Sequence, residues 1–201
     1  MRIDPESRAL NGFSTFLTFV GLNLLFALLC LPILTIGAAT SALYEVTLRY
    51  SEDESGRPLK DFFPAFRANF GRATALMLAL LLPAALLGFS TVFWFAMPTV
   101  LGGVAGVVAL LGGAYFFAAF LYAMAQVAYF RNSVRQTLRN ALLLPAAEPV
   151  RTLGVLLIPV TLVALTILFP VFGIIVLTVG FSVGAYATAF LFRSVFARHE
   201  A

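Results

Sequence analysis

The sequence predicts an all-α protein, a polytopic transmembrane helical bundle of six helices arranged as three hairpins, or of five spans if one segment only kinks. Three observations lead there. The chain is 61% hydrophobic and 11% charged over 201 residues, against roughly 45–50% and about 25% in a soluble domain, and its mean hydropathy is +0.99. Its apolar residues fall in long runs, each beyond the ~18 residues a spanning helix needs. Finally, three turns between these runs carry no charge, whereas the thirteen Lys and Arg residues gather elsewhere.

The first span covers residues 12–31 and is apolar all round apart from Ser14, Thr15, Thr18 and Asn23. A polar amide at that depth is expected to bond to a neighbouring helix. Cys30 is the single cysteine and excludes an intrachain disulfide. Leu29 before it is too large for a lipoprotein anchor, so Cys30 reads as a buried apolar thiol. The run is longer than a signal-peptide core and leads into a second helical pattern, so it reads as a transmembrane helix.

Pro32 and Gly37 bend or turn the chain, since Pro removes a helix donor and Gly tolerates unusual backbone angles. Residues 33–50 are then long enough to span. Gly37, Ser41, Glu45 and Arg49 recur every four residues with Ala38 and Ala42 beside them, a small-residue face suited to close helix packing. Residues 51–60 form a polar loop with Gly56 and Pro58 as breakers. In residues 60–72, Phe62, Phe66 and Phe70 lie at i, i+4 and i+8, opposite Asp61, Arg67 and Arg72. That pattern predicts a short amphipathic helix, either in the headgroup region or packed under the bundle.

The third span covers residues 73–96, with a kink expected at Pro83 and an aromatic belt of Phe93, Trp94 and Phe95. The fourth covers 103–130, with Gly102 and Gly106 as a close-packing pair. Arg131, Arg135 and Arg139 then form a basic stripe at spacing four, with Val134, Leu138 and Leu142 opposing it. Residues 131–144 therefore read as a second amphipathic helix on the cytoplasmic surface, whose default partner is anionic lipid headgroups. The fifth span covers 151–169, kinked near Pro159, and the sixth covers 174–192, with Gly180 and Gly184 four apart.

All of residues 1–201 fit one membrane domain. If residues 33–50 span, every Lys and Arg falls on one side, and the positive-inside rule places both termini in the cytoplasm; if the segment only kinks, five spans leave the N-terminus, with Arg2 and Arg8, outside. The net charge of +4 thus serves orientation. No soluble basic face remains for nucleic acid.

The residues Pro32, Thr35, Gly37, Ala39, Thr40, Ala42 and Leu43, followed by Phe63, Phe66, Arg67, Asn69 and Phe70 after the charged loop, resemble the YesL-like family of bacterial integral membrane proteins. The resemblance covers about the first 80 residues. The chain departs from the family pattern at Ala38, where proline is frequent, which leaves the turn less rigid. The resemblance implies a plasma-membrane protein of unknown biochemical activity, with an accessory role near a sugar transporter.

Catalytic signatures are missing. The sequence holds no Walker A loop, no GxGxxG after a strand and no GxSxG elbow, and its single histidine, His199, lies in the C-terminal tail. A His-based metal site or triad is excluded within one chain. The expectation is a protein that is not an enzyme and takes no cofactor and no metal. Glu45 and Arg49 form the one candidate constellation, four apart with the acid first, the favourable order for a helix pair. They read either as a structural ion pair or as a proton or cation site, because ionisable groups inside membranes often mark pathways. In the second case Tyr44, Tyr122, Gln126 and Tyr186 would line the same cavity. The leading expectation is accordingly a non-enzymatic plasma-membrane protein accessory to carbohydrate uptake or its regulation, partnered by lipid and by a sugar-transporter permease or a second copy. The alternative is a small transporter or channel for a polar solute using Glu45.

Overall fold

The computed structural model describes residues 5–53 and 57–199, and every element among them is helical. Residues 1–4 of the N-terminal lead, 54–56 of the polar loop and 200–201 lie outside the described residues. The elements are α1 (Pro5–Cys30), a 3₁₀ turn (Ile33–Thr35), α2 (Ile36–Asp53), α3 (Pro58–Phe95), α4 (Val100–Tyr129), α5 (Val134–Ala147), α6 (Pro149–Leu168), α7 (Phe172–Ile175), a π-helical turn (Val176–Gly180) and α8 (Phe181–His199).

Among the described residues, five helical stretches have the length and composition to cross a membrane: Gly12–Cys30, Pro58–Phe95, Val100–Tyr129, Pro149–Leu168 and Phe172–Arg198. This is the lower of the two span counts the sequence allows. The difference is α2, which has 18 residues but carries Glu45, Arg49, Glu52 and Asp53. Its surroundings explain how such a composition is tolerated. Ala38, Ala39, Ser41, Ala42, Leu43, Tyr44, Val46, Thr47 and Leu48 are all buried, because α1, α3, α4 and α8 pack around the helix. A helix enclosed by protein need not be apolar on every face. The long apolar helices show the converse pattern. Leu86, Phe89, Val108 and Ile167 are each more than 60% exposed, and apolar exposure on that scale suits a membrane or a protein partner rather than water.

The predicted amphipathic helix over residues 60–72 is not a separate element. It is the first third of α3, a continuous helix of 38 residues and about 57 Å. A spacing of exactly four residues overshoots the 3.6-residue turn by about 40° per step, so the Phe62, Phe66, Phe70 stripe winds off one face. Phe62 is fully buried, whereas Phe70 is 41% exposed. The face that stays inward is Phe62, Ala65, Asn69, Ala73, Leu76 and Leu80, which mixes steps of three and four and so tracks the core.

The second amphipathic segment does form a helix, shifted to Val134–Ala147. Ser133 caps it, its Oγ accepting from Gln136 N at 3.3 Å. Arg131 therefore precedes the helix, and the basic stripe on α5 itself is Arg135 and Arg139; all three are exposed.

Two interior devices fix the packing. α3 and α4 meet through glycine: a Cβ at Gly106 would stand 2.5 Å from the Phe95 ring, and one at Gly113 would meet Leu87 at 3.4 Å. The first span is tied to the last by Asn23. Its Nδ2 donates to the Val176 and Leu177 carbonyls at 3.2 and 2.7 Å. Its Oδ1 accepts from the Phe181 and Ser182 amides at 2.8 and 3.0 Å. A π-helical turn shifts the backbone hydrogen-bond ladder by one residue, and this amide satisfies backbone groups at both ends of it.

Candidate functional site

The Gly37, Ser41, Glu45, Arg49 face of α2 lies along α3 in antiparallel order. At its first position Gly37 lets the helices touch: a Cβ there would stand 2.6 Å from the Ala73 carbonyl oxygen and 2.8 Å from Met77 Cβ. The Gly37 amide also donates to Met77 Sδ at 3.2 Å. One turn on, Ser41 is fully buried and its Oγ has no hydrogen-bond partner.

Glu45 follows, and both carboxylate oxygens are engaged. Arg49 donates to Oε1 at 3.2 Å, and Asn69 of α3 donates from Nδ2 to Oε2 at 2.8 Å. Arg49 also reaches Asp61 at 3.6 Å. The two partners of Glu45 differ in environment. The Arg49 side chain is 55% exposed, whereas Asn69 is 2% exposed. A hydrogen bond to a charged group gains strength as solvent is excluded, and an exposed ion pair is screened. Asn69 is thus the stronger anchor of the carboxylate.

The network continues beyond Asn69. Arg72 donates to Asn69 Oδ1 at 3.1 Å and to the main-chain carbonyls of Phe130 and Asn132 at 3.5 and 3.3 Å. One chain of polar contacts thus runs from Asp61 through Arg49, Glu45, Asn69 and Arg72 to the link between α4 and α5. Those carbonyls belong to a non-helical stretch whose backbone needs partners, and the guanidinium provides donors to them.

The remaining motif residues divide by role. Thr35 donates its hydroxyl to the Leu29 and Pro32 carbonyls, closing the bend. Thr40 bonds back to the Ile36 carbonyl at 2.8 Å. Phe66 stacks on Phe63 and meets Phe70 edge-on, while Arg67 and Phe70 point outward.

The tyrosines expected around Glu45 pack elsewhere. Tyr44 and Tyr122 each meet Phe192 edge-on, Tyr122 shares a hydrogen bond with Thr152 at 3.2 Å, and Tyr186 packs on Phe19 and Phe190. Two cavities adjoin this core. One is almost wholly apolar and includes Tyr44, Phe117, Phe120 and Pro159 in its wall. The other, about 510 Å³, lies between the end of α4, α5 and α8, with the carboxamides of Gln126, Asn132, Gln136 and Asn140 in its wall. Glu45 and Arg49 line neither. Among the described residues no three His, Cys, Asp or Glu side chains converge on a point.

Sequence reasoning named Asn69 by motif alone and gave Arg72 no role beyond a polar face. The carboxamide cluster was also missed. Its signal was present: Asn132, Gln136 and Asn140 recur every four residues, one position after each arginine of the basic stripe.

A family described as "Protein of unknown function, DUF624" matches residues 19–91. The matched stretch holds the second half of α1, the bend, α2 and most of α3, and so contains the whole Glu45–Asn69–Arg72 core. No curated protein matches the chain. No solved structure matches it either.

Proposed function

We propose that the chain is a YesL-like, non-enzymatic integral protein of the bacterial plasma membrane that is accessory to carbohydrate uptake or its regulation. It acts through helix packing and its charged end, and α2 crosses together with the five long apolar stretches, which places both termini in the cytoplasm. The observation that carries this reading is the engagement of Glu45: both oxygens are held, one by Arg49 and one by a buried amide of the next helix. A transport carboxylate must be free to take and release its solute, whereas this one joins α2 to α3. The resemblance over the first 80 residues supports the placement among bacterial membrane proteins, and the matching of residues 19–91 by a family of unknown function fits an uncharacterised activity. The sugar association rests on the resemblance alone.

The exposed Arg131, Arg135 and Arg139 supply the contact with anionic lipid headgroups, since Lys and Arg near such a surface gain about 1 kcal/mol each. Purification from native membrane, with identification of co-purifying proteins, tests the accessory role. Stoichiometric recovery of a sugar permease is the expected result. Recovery of the chain alone, as a monomer, would overturn it.

A further inference from the structure

The cavity beneath α5 has a composition that the accessory role does not use. We propose that it is a binding site for a small neutral polyhydroxyl solute of hexose size, an inference that goes beyond the accessory reading and stands without it. Four side-chain carboxamides line it: Gln126 from α4, Asn132 from the α4–α5 link, and Gln136 and Asn140 from α5. Phe130 and Phe196 add aromatic surface, and among the described residues no charged side chain takes part in the wall. Its volume of about 510 Å³ falls within the 300–1,000 Å³ usual for small-molecule pockets.

Gln126 is the observation that points to a ligand. The residue is 2% exposed, and its Nε2 has no hydrogen-bond partner. A buried donor left unpaired is destabilising unless something completes it. A carboxamide offers a donor and an acceptor side by side, and so does each hydroxyl of a polyol. Several carboxamides and aromatic surface together match a solute with hydroxyls on its edge and C–H groups on its face. A charged solute would lack a counter-charge in this wall and would pay for its desolvation.

The site is also joined to the α2–α3 core. Arg72 holds the carbonyls of Phe130 and Asn132, two residues of the cavity wall, and bonds through Asn69 to Glu45. The register of that wall is therefore set from the family-matched stretch, residues 19–91.

The test uses the full chain in phospholipid nanodiscs prepared without sugar-headgroup detergent. D-Glucose and myo-inositol are the probes and glucose 6-phosphate is the charged control, each followed by equilibrium dialysis and by melting temperature. Saturable binding of either neutral probe, with Kd of about 1 mM or below, and none of the phosphate, is expected. Gln126→Leu should lose binding at least tenfold, about the effect of one hydrogen bond to a ligand, while the ligand-free melting temperature stays level or rises because an unpaired amide is gone. Asn140→Ala, at a half-buried residue of the wall, should weaken binding without changing that temperature, and it decides the matter if Gln126→Leu fails to fold. No saturable binding of either neutral probe, binding unchanged in these variants, or tighter binding of the phosphate would each overturn the proposal.

Discussion

Asn69 donates from Nδ2 to Glu45 Oε2 across 2.8 Å, joining two helices at residues 24 positions apart in the chain. With its Oδ1 it accepts from Arg72, so one buried amide links a carboxylate to a guanidinium without placing the charges in contact. Removing the amide disturbs both. Asn69→Leu should lower stability by about 1–3 kcal/mol, because it leaves Glu45 Oε2 and Arg72 each short of a partner. Arg49→Ala should lower it by about 1 kcal/mol or less, since that guanidinium is largely solvated. Thermal unfolding of the two variants in the same detergent orders them. A larger loss for Arg49→Ala would place the anchor in the exposed ion pair instead.

Asn23 should be as sensitive to chemistry as to size. Asn23→Asp keeps the acceptor for the Phe181 and Ser182 amides but cannot donate to the Val176 and Leu177 carbonyls when ionised. It should therefore destabilise the fold about as much as Asn23→Leu, by about 1–3 kcal/mol. Melting temperature, read with hydrogen exchange at Phe181 and Ser182, separates the two: exchange should rise in the Leu variant and rise less in the Asp variant. Unchanged melting in both would mean that the π-helical turn holds without the amide.

The two glycine contacts predict unequal effects. At Gly37 an added Cβ meets the Ala73 carbonyl oxygen, which belongs to a helix backbone and cannot rotate away. At Gly106 it meets the ring of Phe95, a side chain that is 51% exposed and free to turn. Gly37→Ala should lower stability by roughly 1–3 kcal/mol, the usual range for overpacking, and Gly106→Ala by less. Unfolding of the two variants in parallel checks the order, and equal effects would show that the Phe95 ring is as fixed as the backbone.

The one-sided distribution of Lys and Arg predicts that α2 crosses as a sixth span, in addition to the five long apolar stretches, and that the N-terminus is therefore cytoplasmic. Cysteine placed at Asp4 in a Cys30→Ala background should resist an impermeant thiol reagent applied to intact cells, and should react after permeabilisation. Labelling from outside intact cells would overturn the six-span arrangement and leave five spans with the N-terminus outside.

The sequence made the helical bundle legible because composition and run length speak directly to burial in lipid. The α2 face Gly37, Ser41, Glu45, Arg49 was legible too, since a period of four along one helix is a local pattern. Three features were not. The join between residues 60–72 and the third span is hidden by Pro64 and the charges around it, which mimic an amphipathic breakpoint, although α3 runs through them. The dominant partner of Glu45 could not be read locally, because Arg49 is its neighbour in sequence and Asn69 its neighbour only in the folded bundle. The carboxamide cavity needed the placement of α5 against α4 and α8, which no periodicity within α5 supplies.

Glu45→Gln is the measurement closest to the central claim that Glu45 joins helices and carries no solute. The glutamine keeps an acceptor for Asn69 and gives up only the exposed pair with Arg49, so its melting temperature should stay close to that of the wild type. Sugar uptake should be measured in a strain lacking the protein and complemented with either form at matched expression. The structural account predicts that Glu45→Gln restores uptake as fully as the wild type. Normal expression and normal melting with uptake abolished would contradict it and assign the carboxylate to transport.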